Sequence, residues 1–330
     1  MTQASALKHR QRRPRRVIAP VVFGCCPAGD RCVLCPAPPI APEVETISAL
    51  VEHYRTDRAG PEDHLSVSFF GGAPPDVQSL DAIEGLPFTV RVRPDLLSRD
   101  QAAVLVERGA TAIELDVGCF DDFALRWSGR PYTTSLVSEM AAGLAELGVR
   151  TGVVLTPGLP GTDYDTCIRD ATKAGELFDT ARIQPVLVLG GSRLQEMFEG
   201  GRYTPLTTRV AVAVCRDMMA ILDAQNVEII RVGAQPGPDG MGKLIAGPYH
   251  SSFRELVESK RAQDALRPLI ASLRSPTSIR IRCAAGDETR ARGPANANIR
   301  IFRVEFELER VVVEADPRFE RGQWAVEKIA

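Results

Sequence analysis

The chain has 330 residues, 44% of them hydrophobic and 25% charged, with a formal net charge of −2. That length allows one large domain with a smaller companion, and the near-neutral balance excludes a surface built wholly for nucleic acid while permitting a local basic patch. No apolar run reaches the roughly 20 residues a membrane-spanning helix needs, so no membrane partner is expected.

The start is basic and free of acids: Lys8, Arg10, Arg12, Arg13, Arg15 and Arg16 precede the short apolar stretch Val17–Gly24. With Pro20 inside it, that stretch reads as a buried strand rather than an export signal, and a cytoplasmic location is expected. The tail, residues 1–15, has two fates open to it: contact with RNA phosphates or a solvated, disordered start. Residues 16–235 follow as a large domain and 236–330 as a small α/β lobe.

Six strand-then-helix units can be traced in the large domain. The first strand is Arg16–Phe23, followed by a cysteine-bearing loop and a helix over Glu43–Tyr54 with Val44, Ile47, Val51 and Tyr54 on one face. Strands follow at Leu65–Phe70, which runs into Gly71-Gly72, and at Phe88–Val92, with a helix over Ser98–Glu107. The fourth strand, Thr111–Val117, leads to a helix over Ser135–Leu147 that Gly148 stops. The fifth, Thr151–Thr156, is followed by a helix capped near Thr162-Asp163. The sixth, Ala181–Leu189, leads to a long helix at Thr207–Ala224. Strands alternating with helices predict a parallel sheet, open or closed into a barrel. Beyond Pro236 a helix near Ser251–Ser272 and strands at Ser278–Cys283, Arg310–Glu314 and Gln323–Lys328 form the lobe.

Alternation inside the strands decides for a barrel. Ala112, Glu114 and Asp116 share one face of the fourth strand, against Ile113 and Leu115 on the other. Thr89, Arg91 and Arg93 share a face of the third, and Arg182 and Gln184 a face of the sixth. Charged side chains turned onto packed helices would carry a large desolvation cost, so they face a lumen, and a polar lumen near the C-terminal rim is where such barrels place their sites. Arg91, Arg93, Glu114, Arg182, Gln184 and Arg231 are therefore the expected pocket residues. Glu114, Arg182 and Gln184 are assigned to catalysis, and Arg93 and Arg231 to cofactor binding. A network of charges that merely satisfies the barrel interior is the other reading.

Four of the eight cysteines, Cys25, Cys26, Cys32 and Cys35, crowd into one loop, a pattern of metal binding rather than of a disulfide framework. Cys26, Cys32 and Cys35 are separated by five and then two residues. Three thiolates can hold three irons of a cubane cluster and leave the fourth open to a chelating molecule. A zinc site with Cys25 or a histidine as fourth ligand uses the same donors, and either Cys25 or Cys26 can be the first ligand.

At this point the chain resembles the radical S-adenosylmethionine proteins related to the catalytic subunit of Elongator, in the short bacterial form without an acetyltransferase domain. The resemblance runs through Cys26-Pro27 to Cys35-Pro36, Phe69-Phe70-Gly71-Gly72, Arg93-Pro94-Asp95, Glu114-Leu115, Gly158-Leu159-Pro160-Gly161, Gly201 to Leu206, Arg231 to Pro236 and Ala246 to Glu258. It implies a partial parallel (β/α)6 barrel and a 4Fe-4S cluster held by Cys26, Cys32 and Cys35. It also implies S-adenosylmethionine against Gly71, Gly72 and Ala73, and an external reductant. The activity implied is reductive cleavage of S-adenosylmethionine and radical modification of a substrate, with RNA suggested by kinship. The chain departs from the family at Ala73, at Gly118 where a glutamine is usual, and at Tyr132 where a histidine is usual. A catalytically degenerate barrel acting as a scaffold is the alternative those departures leave open.

Overall fold

The computed structural model describes residues 14–22, 32–36, 43–234 and 243–329. Most of the basic tail, together with Phe23, Cys25, Cys26, Gln235 and Pro236, lies outside the described residues.

Seven parallel strands build the main sheet: β1 (Arg16–Val22), β2 (His64–Phe70), β3 (Phe88–Val92), β4 (Ala110–Gly118), β5 (Arg150–Leu155), β6 (Thr180–Ile183) and, after a short β7 (Val188–Leu189), β8 (Glu228–Val232). Their order is β1-β2-β3-β4-β5-β6-β8, a sheet curled into a half-barrel. Its crossovers carry α1 (Val44–His53), α2 (Val77–Asp81), α3 (Arg99–Glu107), α4 (Asp122–Trp127), α5 (Thr134–Glu146), α6 (Tyr164–Leu177), α7 (Arg193–Glu199) and α8 (Thr208–Ala224). The helices begin where the sequence supplies caps. Ser98 closes a capping box with Gln101, and the side chains of Thr133, Asp163 and Thr207 each accept an N–H from the first turn. On the helix side of the sheet Val67, Phe69, Val90, Ile113, Leu115, Val153 and Ile183 are almost completely buried in one continuous core.

Two strands depart from the expectation. The sixth ends at Ile183, because Pro185 lacks the N–H that the ladder would need, and Val188–Leu189 instead pairs antiparallel with β9 (Leu244–Ala246). The seventh parallel strand, Glu228–Val232, has no counterpart among the six predicted units. Its period-two pattern is broken by a bulge: Ala181 pairs with Ile229 and Arg182 with Arg231, so Ile230 is the extra residue. The bulge turns Arg231 to the level of Arg182.

A second core belongs to the C-terminal part. α9 (Phe253–Ala271) contributes Val257 to the main core and Leu266 and Ile270 to this one. There they meet Ile279 and Ile281 of β10 (Ser278–Cys283), Val313 of β11 (Arg310–Ala315) and Phe302 of α11 (Ala297–Glu305), which follows the short α10 (Glu288–Arg292). β10 lies between the parallel β11 and the antiparallel β12 (Trp324–Lys328). The polar segment from Ala284 to Asn298 contains α10 and the start of α11. No helix among the described residues is long and apolar enough to cross a membrane.

One position on the lumen side governs the rest. A Cβ at Gly152 would stand 2.7 Å from Thr180 Oγ1 and 2.8 Å from Glu114 Cγ. The missing side chain leaves Glu114 room to reach across β5. Gly152→Ala is expected to cost about 1–3 kcal/mol by overpacking, read as a lowered thermal midpoint, whereas the same change at Gly143, whose Cβ would meet nothing, costs nothing by this route.

Candidate active site in the barrel lumen

Parallel register sets the site out in rows. Arg91 is the Cα partner of Glu114, and Glu114 of Gly152. One row nearer the C-terminal rim, Asp116 pairs with Val154, Val154 with Arg182, and Arg182 with Arg231. Because Gly152 offers no side chain, Arg182 and Glu114 meet across it. Arg182 Nε donates to Glu114 Oε2 at 2.6 Å and Nη2 to Oε1 at 2.9 Å, a bidentate pair. Arg91 Nε stands 3.6 Å from the same Oε2, and its guanidinium lies 5.1 Å from the centroid of the Phe70 ring. The Arg91 and Arg182 side chains are 15% and 16% exposed and that of Glu114 is 6% exposed, so they line an accessible chamber rather than a sealed core. Burial pushes the Arg91 guanidinium below its ordinary pKa, with Glu114 opposing and Arg182 adding to the effect. Arg231 is lowered for the same first reason, reinforced by Arg182 and Arg91.

A second network closes the chamber toward the cysteine loop. Arg130 Nη1 donates to the Asp116 carbonyl at 2.7 Å and to the Tyr132 hydroxyl at 2.6 Å, while Nη2 reaches Asp116 Oδ1 at 3.0 Å. The Tyr132 hydroxyl lies within donating distance of the Asp116 and Val117 carbonyls, at 3.0 and 3.1 Å. Desolvation pushes the Tyr132 phenol upward, and the neighbouring Arg130 opposes it. Arg130 is held above its usual value although its burial opposes this; Tyr132, Asp116 and Cys32 supply the negative field. Gly118 makes the packing feasible. Its φ is +82°, and a Cβ there would lie 3.0 Å from Leu159 Cδ1 and 3.3 Å from Arg130 Nε.

Of the expected cysteine ligands, Cys32 and Cys35 are described, with their sulfurs 3.9 Å apart. The segment is fixed by its backbone. Val33 N–H donates to the Ser128 carbonyl beyond α4, and the Val33 carbonyl accepts from Leu194 N–H in the first turn of α7. Two soft sulfur donors facing each other suit iron or zinc, and the Arg130 cation beside them complements a thiolate ligand. Cys26 and Cys25, the alternatives for the first ligand, lie outside the described residues.

The remaining expected residues are distributed along the rim. Gly71, Gly72 and Ala73 form the bend after β2, and the Gly72 carbonyl accepts the Arg93 N–H at 2.9 Å. The Arg93 side chain is buried and pairs through Nε with Asp95 Oδ1 at 3.0 Å. Gln184 follows β6, its N–H donating to the Leu155 carbonyl at 2.8 Å. Arg91, Glu114, Arg182 and Arg231 are thus brought together, while Arg93 stands with the Asp116–Arg130–Tyr132 network, near enough to Tyr132 to lower its pKa. Asp116, Arg130 and Tyr132 were absent from the residue list drawn from the sequence. Asp116 carries the same alternation signal as Glu114, but no alternation marks Arg130 and Tyr132, which arrive from the loop before α5; the resemblance singles out Tyr132 only as a departure. His250 is exposed, and its Nδ1 accepts the Ser252 N–H.

Residues 178–263 match the Radical_SAM C-terminal domain. The tRNA uridine(34) acetyltransferase of Dehalococcoides mccartyi is 26% identical over 178 residues, 52% of this chain and 38% of that protein. Elongator complex protein 3 of Saccharomyces cerevisiae is 26% identical over 190 residues, 54% of this chain and 33% of its own length. The chain is similar to Elongator-related radical S-adenosylmethionine proteins. It spans well under half the length of these curated relatives. Among solved structures, the archaeal Methanocaldococcus infernus Elp3 with an N-terminal deletion superposes with a TM-score of 0.59 at 18% identity, covering 77% of this chain and 64% of that one. The radical SAM enzyme HemN of Escherichia coli gives 0.50 at 14% identity, over 64% and 53%. Both share the fold of this chain.

Proposed function

We propose that the chain is a cytoplasmic radical S-adenosylmethionine enzyme whose substrate occupies the lumen between Phe70, Arg91, Glu114 and Arg182. The observation that carries this reading is the placement of Cys32 and Cys35, sulfur to sulfur at 3.9 Å, on a segment pinned to Ser128 and Leu194 beside the Arg130–Asp116 network. Cys26, Cys32 and Cys35 would hold a 4Fe-4S cluster. Gly71, Gly72, Ala73 and Arg93 would receive S-adenosylmethionine, while Arg231, expected at the cofactor from the sequence, stands beside Arg182 in the lumen. With both bound, such a site supplies the electron that splits the sulfonium reductively, and that electron comes from an external reductant.

The chain's own residues do the positioning. Glu114, clamped by Arg182, presents a fixed carboxylate edge to a substrate hydroxyl or amine. The Arg130–Asp116–Tyr132 network holds the rim loop against the cysteine segment. Phe70 lies against the Arg91 guanidinium and gives this end of the site an apolar edge. A tRNA substrate is supported by the names of the relatives, and the basic tail would then contact RNA phosphates.

Anaerobic reconstitution with iron and sulfide, followed by dithionite and S-adenosylmethionine, tests the reading through 5′-deoxyadenosine. Product is expected from the intact chain, and Cys35→Ala is expected to abolish it together with the visible absorbance of the cluster. A chain that binds no iron, or that binds zinc in its place, sinks the proposal. A stable cluster that yields no 5′-deoxyadenosine with any added substrate moves the protein to the degenerate, scaffolding alternative that Ala73, Gly118 and Tyr132 left open.

A further inference from the structure

The lumen carries more positive charge than its own acids balance. Arg91 and Arg182 hold one carboxylate, Glu114, and Arg231 is the Cα partner of Arg182; with Asp116 taken up by Arg130, these three arginines leave two positive charges (three minus one) over the two rows of the described residues. The other acids nearby are engaged: Asp116 with Arg130 and Asp95 with Arg93. The Nε atoms of both Arg91 and Arg231 are buried and donate no hydrogen bond, and a buried donor without an acceptor is costly in a native structure. Both guanidiniums are held below their ordinary pKa by desolvation first and by the neighbouring Arg182, as expected of cations awaiting a counter-charge. Arg231 reaches its place only through the bulge at Ile230.

We propose that Arg91, Arg182 and Arg231 form a site for a dianionic group, a phosphate monoester carried by the substrate. Two excess charges match a monoester, which is close to doubly negative at neutral pH. A phosphodiester or a single carboxylate would neutralise only one. Guanidinium forks suit phosphate oxygens bidentately, and the partial exposure of Arg91 and Arg182 gives the group a way in. In this arrangement Glu114 is the resident competitor: it holds Arg182 and leans on Arg91 until the phosphate arrives. The proposal rests on the lumen being the substrate chamber, but it requires no bound cluster.

Isothermal titration of the full chain at pH 7.5 and low salt, with methyl phosphate and dimethyl phosphate as probes, tests it. Methyl phosphate is expected to bind at least tenfold more tightly than dimethyl phosphate. Arg91→Gln and Arg231→Gln are each expected to weaken it tenfold or more, while Arg108→Gln on the surface leaves it unchanged. Glu114→Gln is expected to tighten binding, a gain that misfolding cannot imitate. Cys35→Ala is expected to leave it intact, which separates this result from the fate of the radical chemistry. Equal binding of dimethyl phosphate would overturn the proposal in favour of an RNA-backbone contact. Displacement by one equivalent of S-adenosylmethionine would overturn it in favour of the cofactor's carboxylate. Binding that ignores both arginine substitutions, or no saturable binding, would end it.

Discussion

Replacing Glu114 with alanine is expected to destabilise the fold by about 3–5 kcal/mol, the range seen when one partner of a buried ion pair is removed. The size follows from what remains. Arg182 loses two hydrogen bonds, at 2.6 and 2.9 Å, and Arg91 loses the carboxylate 3.6 Å away. Arg91, Arg182 and Arg231 are then left with Asp116, which is already taken up by Arg130. Removing Arg182 as well takes away one of the stranded charges. The double variant Glu114→Ala/Arg182→Leu is therefore expected to be less destabilised than the sum of the two single variants, by 1 kcal/mol or more on a scale of coupling energies that runs to about 3. Urea midpoints for the four proteins measure this directly. Additive losses would mean that the two side chains do not depend on each other, against the bidentate geometry.

The second large effect is one of pH and lies behind the sheet. Asp170 on α6 is almost fully buried, and its Oδ1 accepts the Phe120 N–H just after β4, at 2.6 Å. Desolvation raises its pKa to about 7, against the lowering effect of the Phe120 hydrogen bond. In the unfolded chain the group releases its proton near 3.8. The folded form therefore binds the proton more tightly, so stability is full below the unfolded value and falls as pH rises from about 4 to about 7. Above that, the buried carboxylate is ionised at a cost of roughly 2–4 kcal/mol. Asp170→Asn keeps an oxygen for Phe120 N–H and cannot ionise. It is expected to be more stable than the parent at pH 8, with the advantage shrinking toward pH 4. Thermal or urea midpoints of both proteins at pH 4, 6 and 8 read this difference, in which other titrating groups cancel. A gap that stays constant over that range would rule out Asp170 as the titrating group.

The half-barrel was legible because its strands obey two rules at once. Ile113 and Leu115 face the helices and are fully buried, while Glu114 and Asp116 face the lumen. Period-two alternation with charge on one side can be satisfied only by a sheet whose second face is wet. The helix starts were legible for a local reason as well: the capping side chains lie within a turn of the N–H groups they satisfy. Cys32 and Cys35 could be read as a ligand pair because two intervening residues confine their separation, whatever the rest of the chain does.

What the sequence by itself determined, then, is whatever depends on neighbours in the chain: strand faces, helix caps, the cysteine loop and the charged residues that must look inward. Only the tertiary structure decided which of those charges meet. The Arg182–Glu114 pair joins residues 68 apart in the chain, across a strand that contributes no side chain at Gly152. Arg130 and Tyr132 reach Asp116 from a loop that carries no periodic signal. Arg231 enters the lumen row through a bulge that destroys the pattern by which its strand would have been recognised. Register and bulges are set by how whole strands pack against one another, and no window of local sequence contains that information.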